Sequence, residues 1–100
     1  MINRSYTSTI SAVAGTVSET IYGNHSAINQ IRVKATTGTN VFDVKLTDRN
    51  SIVIFEQKDI YAELAEITDL VIDGSFTLII SNSDVDEAFT TLFVFKELWN

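Results

Sequence analysis

The sequence predicts an all-β protein, an antiparallel β-sandwich of jelly-roll-like form with about seven or eight strands. Proline is absent, and threonine, valine, isoleucine and phenylalanine dominate, which pleated strands prefer. Alternation of apolar and polar residues recurs roughly every ten residues, with polar turns between the segments. One hundred residues, 45% of them hydrophobic, predict a single domain over residues 1–100.

The amino-terminal segment alternates only weakly. Over residues 5–13 one side carries Tyr6 and Ile10, and small polar residues fill most of the other positions. Residues 1–16 therefore predict an N-terminal arm or an edge strand. A short second strand follows at residues 17–22 and leads into a polar loop around residues 23–26.

Two clearly alternating segments, residues 28–36 and 42–46, predict the central hairpin of the sheet. Matching their apolar faces sets Val33 opposite Val44 and leaves Gly38-Thr39 as a two-residue turn. Glycine at the first central position suits a type II′ turn, so register and turn chemistry agree.

The next hairpin turns at Asp48-Arg49-Asn50, where asparagine can take the left-handed position of a three-residue loop. The strand that follows is apolar on both faces and includes Val53 and Phe55. Residues 58–67 carry apolar residues at helical spacing, but glutamates stand at the negative end of the helix dipole. We expect an irregular crossover there, with at most one helical turn.

The carboxy-terminal stretch, residues 70–96, contains the densest apolar runs. A three-residue turn at Asp73-Gly74-Ser75 is predicted because it places the apolar residues on either side on one face. The last strand alternates phenylalanines with a second face that holds Leu92 and Val94.

This two-sided apolar character exceeds what one small core can use. Each strand of a small antiparallel sandwich should have one apolar and one solvated face. Either loops or the N-terminal arm cover the surplus, or another subunit buries it in a homo-oligomer, a dimer or trimer. The candidate partner-binding residues are Tyr6, Ile10, Val53, Phe55, Leu92, Val94 and Trp99.

Composition weighs against several classes of function. The formal net charge is −6, and the seven basic residues are scattered, so no nucleic-acid partner is expected. No apolar run of about 18 residues occurs and no signal peptide is recognisable, so no membrane partner is expected either. Cysteine is absent, which rules out disulfides and thiolate metal sites.

No catalytic, cofactor or metal site is predicted, and we expect a protein that is not an enzyme. His25 is the single histidine, and no orienting carboxylate or nucleophile accompanies it in a recognisable motif. The acidic loop over residues 82–87 lacks the length and the glycine of an EF-hand, so a solvated turn is expected.

The order of elements over residues 28–97 resembles the capsid decoration, or cement, proteins of tailed bacteriophages. The similarity lies in the hairpin FDVKLTDRNSIVIFE, the connection IYAELAEI and the ending LVIDGSFTLIISNSDVDEAFTTLFVFKE. It implies a non-enzymatic structural protein, made in the host cytoplasm and located on the capsid surface of the virion. Its partners would be the major capsid protein, whose outer surface it binds to stabilise the shell, and itself. The same ending also resembles carbohydrate-binding jelly-roll modules, so a glycan- or receptor-binding module of a phage tail or fibre is the alternative.

Overall fold

The computed structural model describes residues 3–98, and their regular secondary structure is all β. The strands are β1 (Asn3–Ser11), β2 (Val17–Ala35), β3 (Val41–Asp48), β4 (Val53–Tyr61), β5 (Glu63–Ser81) and β6 (Ala88–Glu97). They form one antiparallel sheet in the order β1-β6-β2-β5-β3-β4. The predicted all-β antiparallel class is confirmed, with six strands instead of seven or eight. Within residues 3–98 no helix is long and apolar enough to cross a membrane.

The two 19-residue strands, β2 and β5, pair along almost their whole length, from Val17–Ile80 to Lys34–Glu63. The two other ladders that involve these strands each use only half of one of them. β6 pairs with residues 26–35 of β2, and β3 pairs with residues 76–81 of β5. Layer A therefore contains β1, β6, residues 26–35 and residues 63–72. Layer B contains β3, β4, residues 17–22 and residues 76–81.

The two layers pack face to face as a sandwich. The Phe42 ring of β3 meets the Phe89 ring of β6 edge-on, with 4.9 Å between centroids, although β2 and β5 separate these strands in the sheet. Phe76 makes edge contacts with Phe93 and Phe95 at 5.3 and 6.0 Å. All five phenylalanines are fully buried. Such pairs add about 0.5–1.5 kcal/mol each beyond area burial, so they hold the layers in register.

The ladder between β2 and β5 bends at a glycine in each strand. A register shift between Tyr22 and Asn24 leaves Gly23 as an extra residue on β2, and Gly74 on β5 has φ +94°. The loop predicted at residues 23–26 and the turn predicted at Asp73-Gly74-Ser75 are therefore wrong. Both segments are parts of long strands, because Gly74 provides a bend within β5 and does not reverse the chain.

The predicted hairpin of residues 28–36 and 42–46, closed by a type II′ turn at Gly38-Thr39, is also wrong. Val33 pairs with Leu64 and Thr91, whereas Val44 pairs with Gln57 and Ile80, so β2 and β3 form no hairpin. A strand with one apolar face can pair with any other strand whose apolar face points into the core. Matching apolar faces therefore does not identify the partner strand, and it selected the wrong partner for β2.

Residues 58–67 contain no helical turn, and the chain crosses from β4 in layer B to β5 in layer A at a single residue, without an irregular segment. β4 and β5 meet at Ala62, which has φ +69°, and the helical spacing of Ile60 and Leu64 arises because both point into the core from two strands. The hairpin at Asp48-Arg49-Asn50 is confirmed, with a hydrogen bond of 2.9 Å from the Asp48 amide to the Ile52 carbonyl. Ser51, at φ +65°, takes the left-handed position expected of Asn50.

Replacement of Gly23 by alanine should destabilise the protein. A Cβ atom there would overlap Cδ1 of the buried Ile72 and crowd Phe76. Overpacking of this kind costs about 1–3 kcal/mol, which a urea unfolding midpoint would measure. Gly38→Ala is the matched control, because nothing lies within 4 Å of the added atom. Equal midpoints for both variants would contradict the packing described at the bend.

Candidate functional site

The outer face of layer A consists of the side chains that point away from layer B. The strand registers order them into rows that run across β1, β6, β2 and β5. The two central rows are Thr7, Leu92, Arg32 and Ala65, followed by Ser5, Val94, Gln30 and Ile67. Apolar side chains therefore lie next to a cation and an amide on one surface.

This face carries the largest exposed apolar side chains of the layer. Ile67 is 80% exposed and Val71 is 63% exposed, both on the outer edge of β5. Leu92 and Val94 are half-buried in the middle of the face. Single exposed apolar residues are common, but a group of them on one sheet face is typical of a surface that another molecule covers.

Charges lie among these apolar side chains: Arg32 stands between Leu92 and Ala65, and exposed Lys96 follows Val94 on the outward side of β6. Arg32 Nη2 lies 2.7 Å from Glu63 Oε2, and Lys34 lies beside Glu63 in the next row. A groove of about 300 Å³ runs alongside these side chains. It is lined by Thr7, Arg32, Lys34, Glu63, Thr90, Thr91 and Leu92. An exposed ion pair contributes at most about 1 kcal/mol to stability, so these charges matter more for the choice of partner.

Of the residues predicted to bind a partner, the structure brings only Leu92 and Val94 together on this face. Tyr6 and Ile10 lie on the opposite side of β1 and pack against the core. Trp99 lies outside the described residues.

The remaining two predicted residues belong to β4, in layer B. Val53 is 49% exposed, whereas Phe55 lies opposite Leu46 and packs against the core. The exposed residues of β5, Ile67 and Val71, were missed because their segment was predicted to be an irregular crossover. The alternation of residues 63–71 between apolar and polar positions was the available signal.

Exposed tyrosines do not form a single platform. Tyr61 pairs with Val41 at the start of β3, whereas Tyr22 pairs with Ser75, beyond the end of the β3 ladder. The two rings therefore lie at opposite ends of layer B. The two rings are therefore too far apart to stack on one sugar together.

A carboxylate ties the layers together at their open edge. Glu19 points inward from β2 in layer B, and it accepts hydrogen bonds from Tyr6 Oη at 2.6 Å and Ser8 Oγ at 2.7 Å. Ser8 Oγ also lies 2.6 Å from Oγ1 of the buried Thr91. The hydrogen bond to Glu19 raises the pKa of Tyr6, and burial and the carboxylate charge act in the same direction. The cluster holds β1 in place.

The acidic loop is a clamp at one end of the sandwich, where a solvated turn was expected. Asp86 accepts hydrogen bonds of 2.9 Å from the amides of Ala14 and Gly15. Glu87 accepts from the amide and hydroxyl of Thr37 and from Asn40 Nδ2. The Thr37 hydroxyl is the main cause that lowers the pKa of Glu87. Within residues 3–98 no group of three potential ligands could hold a metal ion.

Comparison with known proteins identifies no family. No family model matches the chain, and no curated protein matches it. The solved structures that match the chain include those of infectious bursal disease virus strains Gx and Gt. Identity is 15% over 99% of this chain for Gx and 14% over 95% for Gt, each with a TM-score of 0.40. This chain spans 33% of the length of either one.

The bond between Tyr6 and Glu19 should make stability sensitive to alkali. Because the folded-state pKa of Tyr6 is raised, its contribution is complete below about pH 10, the unfolded value, and is lost as pH rises through the folded value. Urea midpoints between about pH 8 and 11.5 would show the decline, and Tyr6→Phe should flatten it. Tyr22→Phe, at an exposed tyrosine, is the control. An unchanged alkaline decline in Tyr6→Phe would contradict the role assigned to this bond.

The clamp at Glu87 should weaken in acid. Its pKa is lowered in the folded state, so its contribution is present above about pH 4.5, its ordinary value, and is lost as pH falls through the folded value. Glu87→Gln should lower the urea midpoint at pH 7 and reduce the loss of stability on acidification. Glu56→Gln, which changes an exposed side chain of β4, is the matched control. If both variants kept the acid profile of the parent, Glu87 would not be part of a clamp.

Proposed function

We propose that this chain is a non-enzymatic structural protein of a virion, and that it decorates the capsid of a tailed bacteriophage. In this role it binds the outer surface of the major capsid protein as a homo-oligomer and stabilises the shell. The outer face of layer A is the observation that carries the proposal. Exposed apolar side chains next to an arginine ion pair on one sheet face are typical of a surface that is buried on assembly.

The construction of the sandwich supports a mechanical role. Carboxylates that could otherwise act as acids or bases accept hydrogen bonds from structural donors. Glu19 joins β1 to β2, and Asp86 and Glu87 join three connecting segments at one end. These contacts keep both layers in a fixed relation, so a partner would meet a rigid surface and little ordering entropy would oppose binding.

A charge placed at Ile67 on this face should abolish shell binding. Ile67→Glu adds a carboxylate at a side chain that is 80% exposed, so folding should not suffer and desolvation of the charge should oppose burial. Cosedimentation with assembled shells that lack the protein is the measurement. Expected is at least a tenfold loss of bound protein, a change worth about 1.4 kcal/mol.

The control places the same charge on the other layer. Tyr22→Glu alters a side chain that is 73% exposed on the outer face of layer B, and binding should match the parent. Circular dichroism would establish that both variants are folded. If the parent protein stayed in the supernatant, the proposed function would be wrong. If Ile67→Glu bound shells as well as the parent protein does, the outer face of layer A would not be the surface that contacts the shell.

A further inference from the structure

We propose that β1 pairs edge to edge with β1 of a second copy of this chain, so that layer A of one copy continues into layer A of the other. The inference deepens the proposed function, because it names the surface through which the homo-oligomer forms. It rests on that function only for the use of the dimer on the shell. The contact lies at the edge of layer A and leaves its outer face uncovered.

β1 is an edge strand with one side unpaired. Within residues 3–98 it pairs with β6 alone, in a register that has no shift. The amide of Ala12, next along the same register, donates to the Glu87 carbonyl at 3.0 Å. In an antiparallel pair, residues alternate between those that bond the neighbouring strand and those that point the other way. The even-numbered residues of β1 therefore bond β6, and the odd-numbered ones point their amides and carbonyls at the unpaired edge.

Residues 3–11 contain none of the features that usually protect such an edge. Natural edge strands carry lysines, prolines or bulges that discourage pairing with another chain. The odd-numbered side chains of β1 are small, exposed and uncharged, namely Asn3, Ser5, Thr7, Thr9 and Ser11. Its one charged residue, Arg4, is held by Glu97 and the Gly23 carbonyl of its own chain.

The other open edges of the sandwich are protected. β4 has two register shifts against β3 and exposes charged side chains within residues 56–59. Residues 63–72 of β5 carry Glu66 and Asp69 beside a register shift, and the open part of β2, residues 17–22, is short. A two-fold contact uses the same edge twice, so a second copy is the partner that needs no unprotected edge other than β1.

The sequence of β1 is complementary to itself about Thr7, its middle residue. Antiparallel pairing centred there sets Thr7 opposite Thr7 of the second copy, and Ser5 opposite Thr9. In every such odd-numbered pair the unpaired amides and carbonyls face each other, so both hydrogen bonds can form. Hydroxyl side chains that lie opposite each other stabilise antiparallel strand pairs further.

The charges at the two ends of β1 suit this antiparallel direction. Arg4 lies opposite Ile10 of the second copy, and the two arginines are about 20 Å apart. Asp86 accepts hydrogen bonds from the amides of Ala14 and Gly15, just beyond the end of β1. That end meets the end of the second copy that carries Arg4 and the exposed Lys96, so the nearest ends have opposite charge.

Glu19 is the charge that opposes the contact. Its carboxylate bonds Tyr6 and Ser8, which flank Thr7, so the carboxylates of both copies lie near the axis on the inner side of layer A. Each copy also has a net charge of −6. Salt screens such repulsion, so self-association should tighten as the ionic strength rises from about 0.05 to about 0.5 M.

The dimer fits binding to a shell. Its two-fold axis is perpendicular to the sheet, so the outer faces of both layers A turn to the same side. Once one face is bound, binding of the second becomes intramolecular, and the affinity of the pair exceeds that of one copy.

Opposite charges at the axis test the dimer through a rescue. Thr7→Lys sets two lysines opposite each other and Thr7→Glu sets two glutamates. Each should weaken self-association roughly tenfold or more in a sedimentation-equilibrium concentration series. An equimolar mixture should associate more tightly than either variant alone, because lysine then meets glutamate. Thr47→Lys makes the same change on β3 in layer B and should self-associate like the parent.

A single cysteine tests the register. The parent has no cysteine, and opposed residues that exchange both hydrogen bonds have Cα atoms about 5.5 Å apart, within disulfide range. Thr7→Cys should therefore form covalent dimers on oxidation, seen on a non-reducing gel, and Thr47→Cys should not. Equal cross-linking of the two variants would contradict the register.

A parent that stays monomeric up to about 1 mM would overturn the dimer, whichever other chain then paired with β1. A mixture no tighter than either variant alone would overturn it too, as would self-association that weakens in salt. If monomers still cosedimented with shells, the dimer would be wrong and shell binding would stand. If dimers formed and stayed in the supernatant, the dimer would stand and the proposed function would be wrong.

Discussion

The antiparallel ladder between β2 and β5 is the constraint on which the rest of the structure depends. Both strands are 19 residues long and pair from end to end, and every other strand attaches to one half of this ladder or to a strand already on it. The bend at Gly23 and Gly74 turns the two halves toward each other. The same continuous ladder of backbone hydrogen bonds thus belongs to both layers and connects them.

Such a sandwich is weakest where its outer strands are paired on one side only, and polar contacts concentrate there. Arg4 of β1 bonds Glu97 at 2.8 Å and the Gly23 carbonyl at 3.0 Å, and its guanidinium lies 4.4 Å from the Phe95 ring centroid. Glu19 secures the same strand from the other layer. An edge strand tied in this way stays on the sheet.

Alternation along the sequence was sufficient to assign faces but not partners. Val33 and Val44 point into the core as predicted, because burial acts on each strand separately and fixes which side is apolar. Pairing depends on where the chain reverses direction. A glycine in the sequence does not show whether the chain reverses there or only bends. Gly74 meets the sequence requirement of a turn, yet the same left-handed backbone bends a strand that continues. Two long strands were therefore predicted as several short ones.

The candidate site was predicted in part for the same reason. Leu92 and Val94 stood out because β6 is apolar on the side that faces away from the core. Their surroundings depend on β5, whose first half carries the period of a helix only because Ile60 and Leu64 face each other across a tight turn. Once that segment is a strand, its outward side chains lie two strands from β6 on the same face. Leu92 and Val94 then share one face with Ala65 and Ile67, with Arg32 and Gln30 between the two pairs. An apolar residue that looks isolated in the sequence becomes part of a surface only when the strand order is known, and the strand order is what alternation does not determine.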